Sequence, residues 1–151
     1  MKLNINNRIK VPKLGNRYFQ VSEVFDDGIA VKEHDEKIPY DDICPIEFGG
    51  RDLIFNGFEE AWDFGLTWHD YVGAATTNYS WVKEIVPGTS YCKVSVQIDD
   101  YGKKFMVYCI NEPGQLCDFK NAYFHEIQNA FITIGQSKIA DALKPRDYNI
   151  K

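Results

Sequence analysis

Long apolar runs are missing from this 151-residue chain. No stretch approaches the ~18 consecutive apolar residues that a membrane-spanning helix needs, so no membrane partner is expected. The first twenty residues also lack the apolar core, about seven residues long, that a secretory leader uses. The reading is therefore a cytoplasmic protein. Histidine is scarce, with His34, His69 and His125 far apart, and there is neither a Gly-x-Ser-x-Gly elbow nor a phosphate-cradling glycine loop. Nucleophilic catalysis needs a Ser or Cys beside a His oriented by a third group, and nothing here announces one. The four cysteines, Cys44, Cys92, Cys109 and Cys117, form no Cys-x-x-Cys pair. Zinc spacing and the redox dithiol motif are absent with it, and the four read as reduced, mostly buried thiols.

Basic charge is in deficit too: 17 Lys and Arg stand against 22 Asp and Glu, a net charge of −5. Its distribution is uneven. Residues 1–20 carry five basic side chains and no acid, residues 21–70 carry three basic and fourteen acidic, and the remainder nearly balances. A nucleic-acid binder draws its affinity from phosphate neutralisation and shows a basic face. Only the N-terminal arm does so here, through Arg8, Lys10, Lys13 and Arg17. The simpler expectation is that this arm lies against the acidic middle third within one fold. Nucleic acid is the alternative partner, contacted by those four side chains.

What the chain does have is aromatic bulk, 10 Phe, 9 Tyr and 3 Trp, enough for a sizeable core. An α+β domain is expected over residues 1–151, in three parts. Residues 1–47 form an SH3-like strand meander, 48–143 a sheet plus helix, and 144–151 a loose tail. In the meander, residues 18–25 read as a strand ending at the Asp26-Asp27-Gly28 hairpin signal. Ile29 to Glu33 follow as a second strand. Lys37 to Ile43 form a third, with Pro39 favouring an edge. Residues 50–57 read as a short helix stopped by Asn56-Gly57, with Phe58 folding back. Its start lacks a capping side chain at Gly49-Gly50.

Farther on, Cys92, Val94, Val96 and Ile98 alternate with polar neighbours, and Phe105, Val107 and Cys109 share a face of the next strand. Superposing those faces requires paired positions that sum to 201, so Cys92 faces Cys109 and Ile98 faces Lys103. A helix is expected from about Ala122 to Ile134, capped by Asn121 and ended by Gly135. Its apolar stripe is Phe124, Ile127, Phe131 and Ile134. A further helical turn through Ile139 and Leu143 is closed by Pro145.

Three groups of residues could hold a partner. The segment from Phe58 to Ser80 has no clean period but is rich in rings, and Trp62, Trp68 and Tyr71 could stack a planar ligand. His125-Glu126-x-x-Asn129 resembles the helical zinc motif H-E-x-x-H, but Asn129 replaces the second histidine and an amide ligates zinc poorly, so no metal is expected. His125, Gln128 and Asn129 instead form a polar stripe beside the apolar one, able to bond neighbouring backbone or a ligand. The acidic pairs Asp26-Asp27, Asp41-Asp42, Glu59-Glu60 and Asp99-Asp100 sit beside turns, where carboxylates are usually solvated.

Two stretches carry a family resemblance. Pro45-Ile46-Glu47-Phe48-Gly49-Gly50-Arg51-Asp52-Leu53-Ile54-Phe55-Asn56-Gly57-Phe58 is similar to a P-I-x-L-T-x-E-x-L-x-x-x-G-F pattern, and His125-Glu126-Ile127-Gln128-Asn129 resembles an H-x-L-Q-N helix motif. Both occur, in this order, in small uncharacterised proteins carried by phages and integrated mobile elements of gut Bacteroidales. Gly49 stands where that pattern has a capping Thr, and Phe48 replaces Leu. The resemblance implies a mobile-element origin and an α+β fold, and it brings no activity with it. The expected function is binding without catalysis: sequestering a small nucleotide-type ligand or inhibiting a host protein, as in counter-defence. No cofactor is expected, and a homo-oligomer is allowed. A nucleic-acid accessory module and a small hydrolytic enzyme are the competing readings.

Overall fold

A computed structural model describes residues 2–60, 77–99, 102–110, 116–119 and 121–146. The molecule is α+β, with two antiparallel sheets and three α-helices among the described residues. The first sheet runs in the order β1 (Arg8–Lys10), β2 (Tyr18–Val24), β3 (Gly28–Val31), β4 (Ile38–Pro39). The second runs β5 (Glu59–Glu60), β6 (Thr77–Val86), β7 (Ser90–Asp99), β8 (Gly102–Ile110), β9 (Cys117–Phe119). Helix α1 (Gly50–Phe55) lies between the sheets in sequence, while α2 (Phe124–Thr133) and α3 (Ser137–Ala142) follow β9.

Each sheet has its own apolar core. Ile9, Val11, Phe19, Val21, Ile29 and Val31 fill the first. The second gathers Phe48, Phe58, Val94 and Val107 against α2, whose Phe124, Ile127, Phe131 and Ile134 stripe is buried as its spacing demands. Phe48 meets Phe124 edge to face at 4.9 Å, an arrangement that the ring quadrupole favours.

The long hairpin has the expected register: Cys92 faces Cys109, Val94 faces Val107 and Ile98 faces Lys103. Both helix stops are also as read. At α1, Gly57 has φ +87°, its N–H donates to the Ile54 carbonyl and the Phe58 N–H to the Leu53 carbonyl. At α2, Gly135 has φ +83°, and the Gly135 and Gln136 N–H groups donate to the Ile132 and Phe131 carbonyls. These are two Schellman closures, each requiring a left-handed residue that Gly supplies without strain.

Several boundaries differ from the expectation. The third meander strand is only Ile38–Pro39, because the chain turns at once into a 3-10 turn over Tyr40–Asp42. Strand β1 had no periodic signal, being three residues long. Helix α2 is capped at Tyr123 rather than Asn121, and the Phe124 N–H donates to the Ile46 carbonyl at 2.8 Å, a tertiary partner doing the work of a side-chain cap. The start of α1 is stabilised from within: the Asp52 carboxylate accepts the Gly49 N–H at 2.8 Å. Residues 144–146 are pinned, unlike a loose tail. The Lys144 N–H donates to the Asn56 Oδ1 and Arg146 Nε to the buried Asp52 carboxylate at 2.7 Å.

Candidate functional site

Helix α2 buries its apolar stripe in the second core, so its remaining side chains must look elsewhere, and they take two roles that Asn129 shares. One set grips the first sheet. Gln128 Oε1 accepts the Arg8 backbone N–H at 3.1 Å, and its Nε2 donates to the Asn6 carbonyl at 3.4 Å. The buried Asn7 amide donates to Asn129 Oδ1 at 2.9 Å. This seam joins the two cores.

The other set lines a cleft of about 640 Å³ bounded by α2 and β9, within the range of small-ligand sites. His125, Glu126, Asn129 and Thr133 come from the helix, and Cys117 and Asp118 from the strand. Their helical spacing of one, three and four residues places the first four on one side of α2.

His125 is 2% exposed and its Nδ1 has no hydrogen-bond partner. Its ring stacks on Tyr123 at 5.9 Å with an interplanar angle of 18°. Burial pushes its pKa down to about 4, so the imidazole is neutral at pH 7. A neutral imidazole offers one donor and one acceptor, which suits a polar uncharged partner. Asn129 gives its Oδ1 to Asn7 and keeps its amide N–H donors for another group. The Thr133 hydroxyl donates to the Asn129 carbonyl at 2.8 Å, leaving its lone pairs as acceptors.

Burial pushes the Cys117 thiol up, against a lowering from its hydrogen bond with Thr133, while neighbouring Asp118 adds to the rise. It stays protonated, a poor nucleophile. Formal charges in the cleft are one positive, Lys2, and two negative, Asp118 and Glu126. That balance is unfavourable to a phosphate-bearing ligand. Among the described residues no group of three or more His, Cys, Asp or Glu side chains could hold a metal ion.

Of the ligand residues expected from sequence, His125 and Asn129 meet in this cleft, while Gln128 is committed to the seam. Trp62, Trp68 and Tyr71 lie outside the described residues. The basic arm rests on its own fold, as the charge pattern suggested. Lys13 pairs with Asp42 at 3.1 Å and Arg17 with Glu33 at 3.6 Å, both acids of the middle third. Arg8 Nη1 donates to the Leu143 carbonyl at 2.6 Å. Lys10 and Arg17 share a groove of about 220 Å³, and the Arg17 guanidinium sits 4.3 Å over the Phe19 ring. Sequence reading missed Cys117, Asp118, Tyr123, Glu126 and Thr133. Thr133 could have been found, because it lies two turns after His125 on the same side; β9 is too short to carry a period.

Among the described residues no helix is long and apolar enough to cross a membrane. Comparison with protein-family models, with curated proteins and with solved structures finds no match.

Proposed function

We propose that this is a non-catalytic binding protein whose α2–β9 cleft takes a small, planar, uncharged polar molecule of the nucleoside type. The observation that carries this reading is the buried, neutral His125, a residue that lines a cleft of about 640 Å³ and whose Nδ1 has no partner within the protein. An orphaned buried polar atom is costly, roughly 1 to 3 kcal/mol, and a ligand that partners it recovers that cost. Glu126 supplies an acceptor, Asn129 a donor, and Tyr123 an aromatic surface beside the imidazole. Asp118 and Glu126 favour the nucleoside over its phosphorylated form. A protonated Cys117 thiol supports binding over chemistry. The resemblance to proteins of phages and mobile elements gives such sequestration a purpose, withholding a signal inside a bacterial host cytoplasm as a counter-defence.

The test is a calorimetric titration with adenosine, uridine and adenosine monophosphate. A nucleoside should bind and the monophosphate should bind at least tenfold more weakly. Thr133→Trp, which fills the cleft from an exposed helix position, should abolish binding without unfolding the chain. Equal affinity for nucleoside and monophosphate, or binding that survives the Trp, would contradict the assignment.

A further inference from the structure

Independently of the cleft, the long hairpin places two thiols opposite each other. Cys92 on β7 and Cys109 on β8 are register partners, and their sulfurs lie 3.7 Å apart. Directly paired residues of antiparallel strands have Cα atoms about 4.5 to 5.5 Å apart. A disulfide accepts Cα separations of about 4.4 to 6.8 Å, so the pairing is compatible with closing one without a shift of backbone register. Access is unequal: Cys92 is fully buried in the second core, whereas Cys109 is partly exposed.

We propose that Cys92 and Cys109 form a redox-reactive dithiol that is oxidised to an intramolecular disulfide by a low-molecular-weight disulfide such as glutathione disulfide. The reaction proceeds in two exchanges. The Cys109 thiol loses its proton and its sulfur attacks one sulfur of glutathione disulfide; the S–S bond breaks, and one glutathione leaves and takes up a proton. The Cys92 sulfur then attacks Cys109 Sγ in the mixed disulfide, and the second glutathione leaves in the same way. The two cysteines are oxidised by two electrons, one glutathione disulfide is reduced to two glutathiones, and the two thiol protons end on the products. The new bond ties β7 to β8 near the open end of the hairpin, one register step from the Tyr91–Ile110 pair.

The experiment uses the full chain with Cys44→Ser and Cys117→Ser, which leaves only this pair of the four thiols. Native incubation with glutathione disulfide should remove both remaining titratable thiols and yield a linked peptide joining Cys92 and Cys109, with no glutathione retained. Adding Cys92→Ser should trap one glutathione on Cys109. Reduced glutathione in excess should restore both thiols. Two thiols that persist in the folded chain, while the urea-unfolded chain oxidises, would overturn the proposal. So would a glutathione adduct on Cys109 that fails to resolve with Cys92 present. The unsubstituted chain mapped for the same linked peptide gives the answer should the double variant misfold.

Discussion

At the scale of single residues, the chemistry turns on which polar groups of α2 are engaged and which are not. His125 is held neutral by burial, with a folded-state value near 4 against the ordinary 6.5. The unfolded chain therefore binds a proton on this ring before the folded one does. Its neutral burial is fully compatible with folding above about pH 6.5, and stability is lost as pH falls from there towards 4. Lys2, Asp118 and Glu126 line the same cleft. Urea unfolding at pH 7 and pH 4 should differ through this residue by about 2 to 3 kcal/mol, and His125→Phe should flatten the difference. An unchanged pH dependence in that variant would show that other groups carry it.

The seam makes a second residue-scale prediction. Asn7 is buried and donates to Asn129, so Asn7→Ala removes one partner and leaves another unsatisfied. The expected loss is about 1 to 3 kcal/mol in chemical denaturation. That His125 and Asn129 share a polar side of α2 was legible, because helical spacing put them beside the apolar stripe, and both line the cleft. The commitment of Gln128 to Asn6 and Arg8 was not, since contacts across more than a hundred positions leave no local pattern.

At the scale of elements, chain reversals were the readable part. Asn56-Gly57 and Gly135 announced two left-handed helix ends, and alternation in two adjoining strands fixed the hairpin register through the burial of one face. Helix starts were less readable, because Asp52 caps α1 from inside and the Ile46 carbonyl accepts the first amide of α2 from another part of the fold. The first residue of α1 carries its own prediction. A Cβ on Gly50 would lie 2.5 Å from the Trp81 ring, whereas one on Gly49 meets nothing within 4 Å. Gly50→Ala should therefore cost about 1 to 3 kcal/mol through displacement of the indole. Gly49→Ala should cost less, about 0.5 to 1 kcal/mol, because Ala is a poorer N-cap than Gly. Thermal melts of the two variants side by side make the comparison, and equal stabilities would refute the packing of Trp81 against α1.

At the scale of the whole molecule, one helix belongs to the second core and is hydrogen-bonded to the first sheet. The first sheet is bound to α2 through residues 6–8 and to the C-terminal residues through Arg8 and Leu143, so the cleft is built on elements that both halves hold in place. The basic arm rests partly on Asp42 and Glu33, and these exposed pairs are worth little singly. The α+β class was readable from the order of strand and helix signals. The cleft was not, because it arises where a three-residue strand meets the polar side of a helix, a juxtaposition that exists only after folding.

A cleft that holds an uncharged planar ligand and transforms nothing has a direct signature in nuclear magnetic resonance of the full chain titrated with adenosine. Saturable shifts are expected, concentrated at His125, Glu126, Asn129, Thr133 and Cys117, with the adenosine recovered intact. Shifts scattered away from these residues, no saturation, or conversion of the adenosine would contradict this expectation.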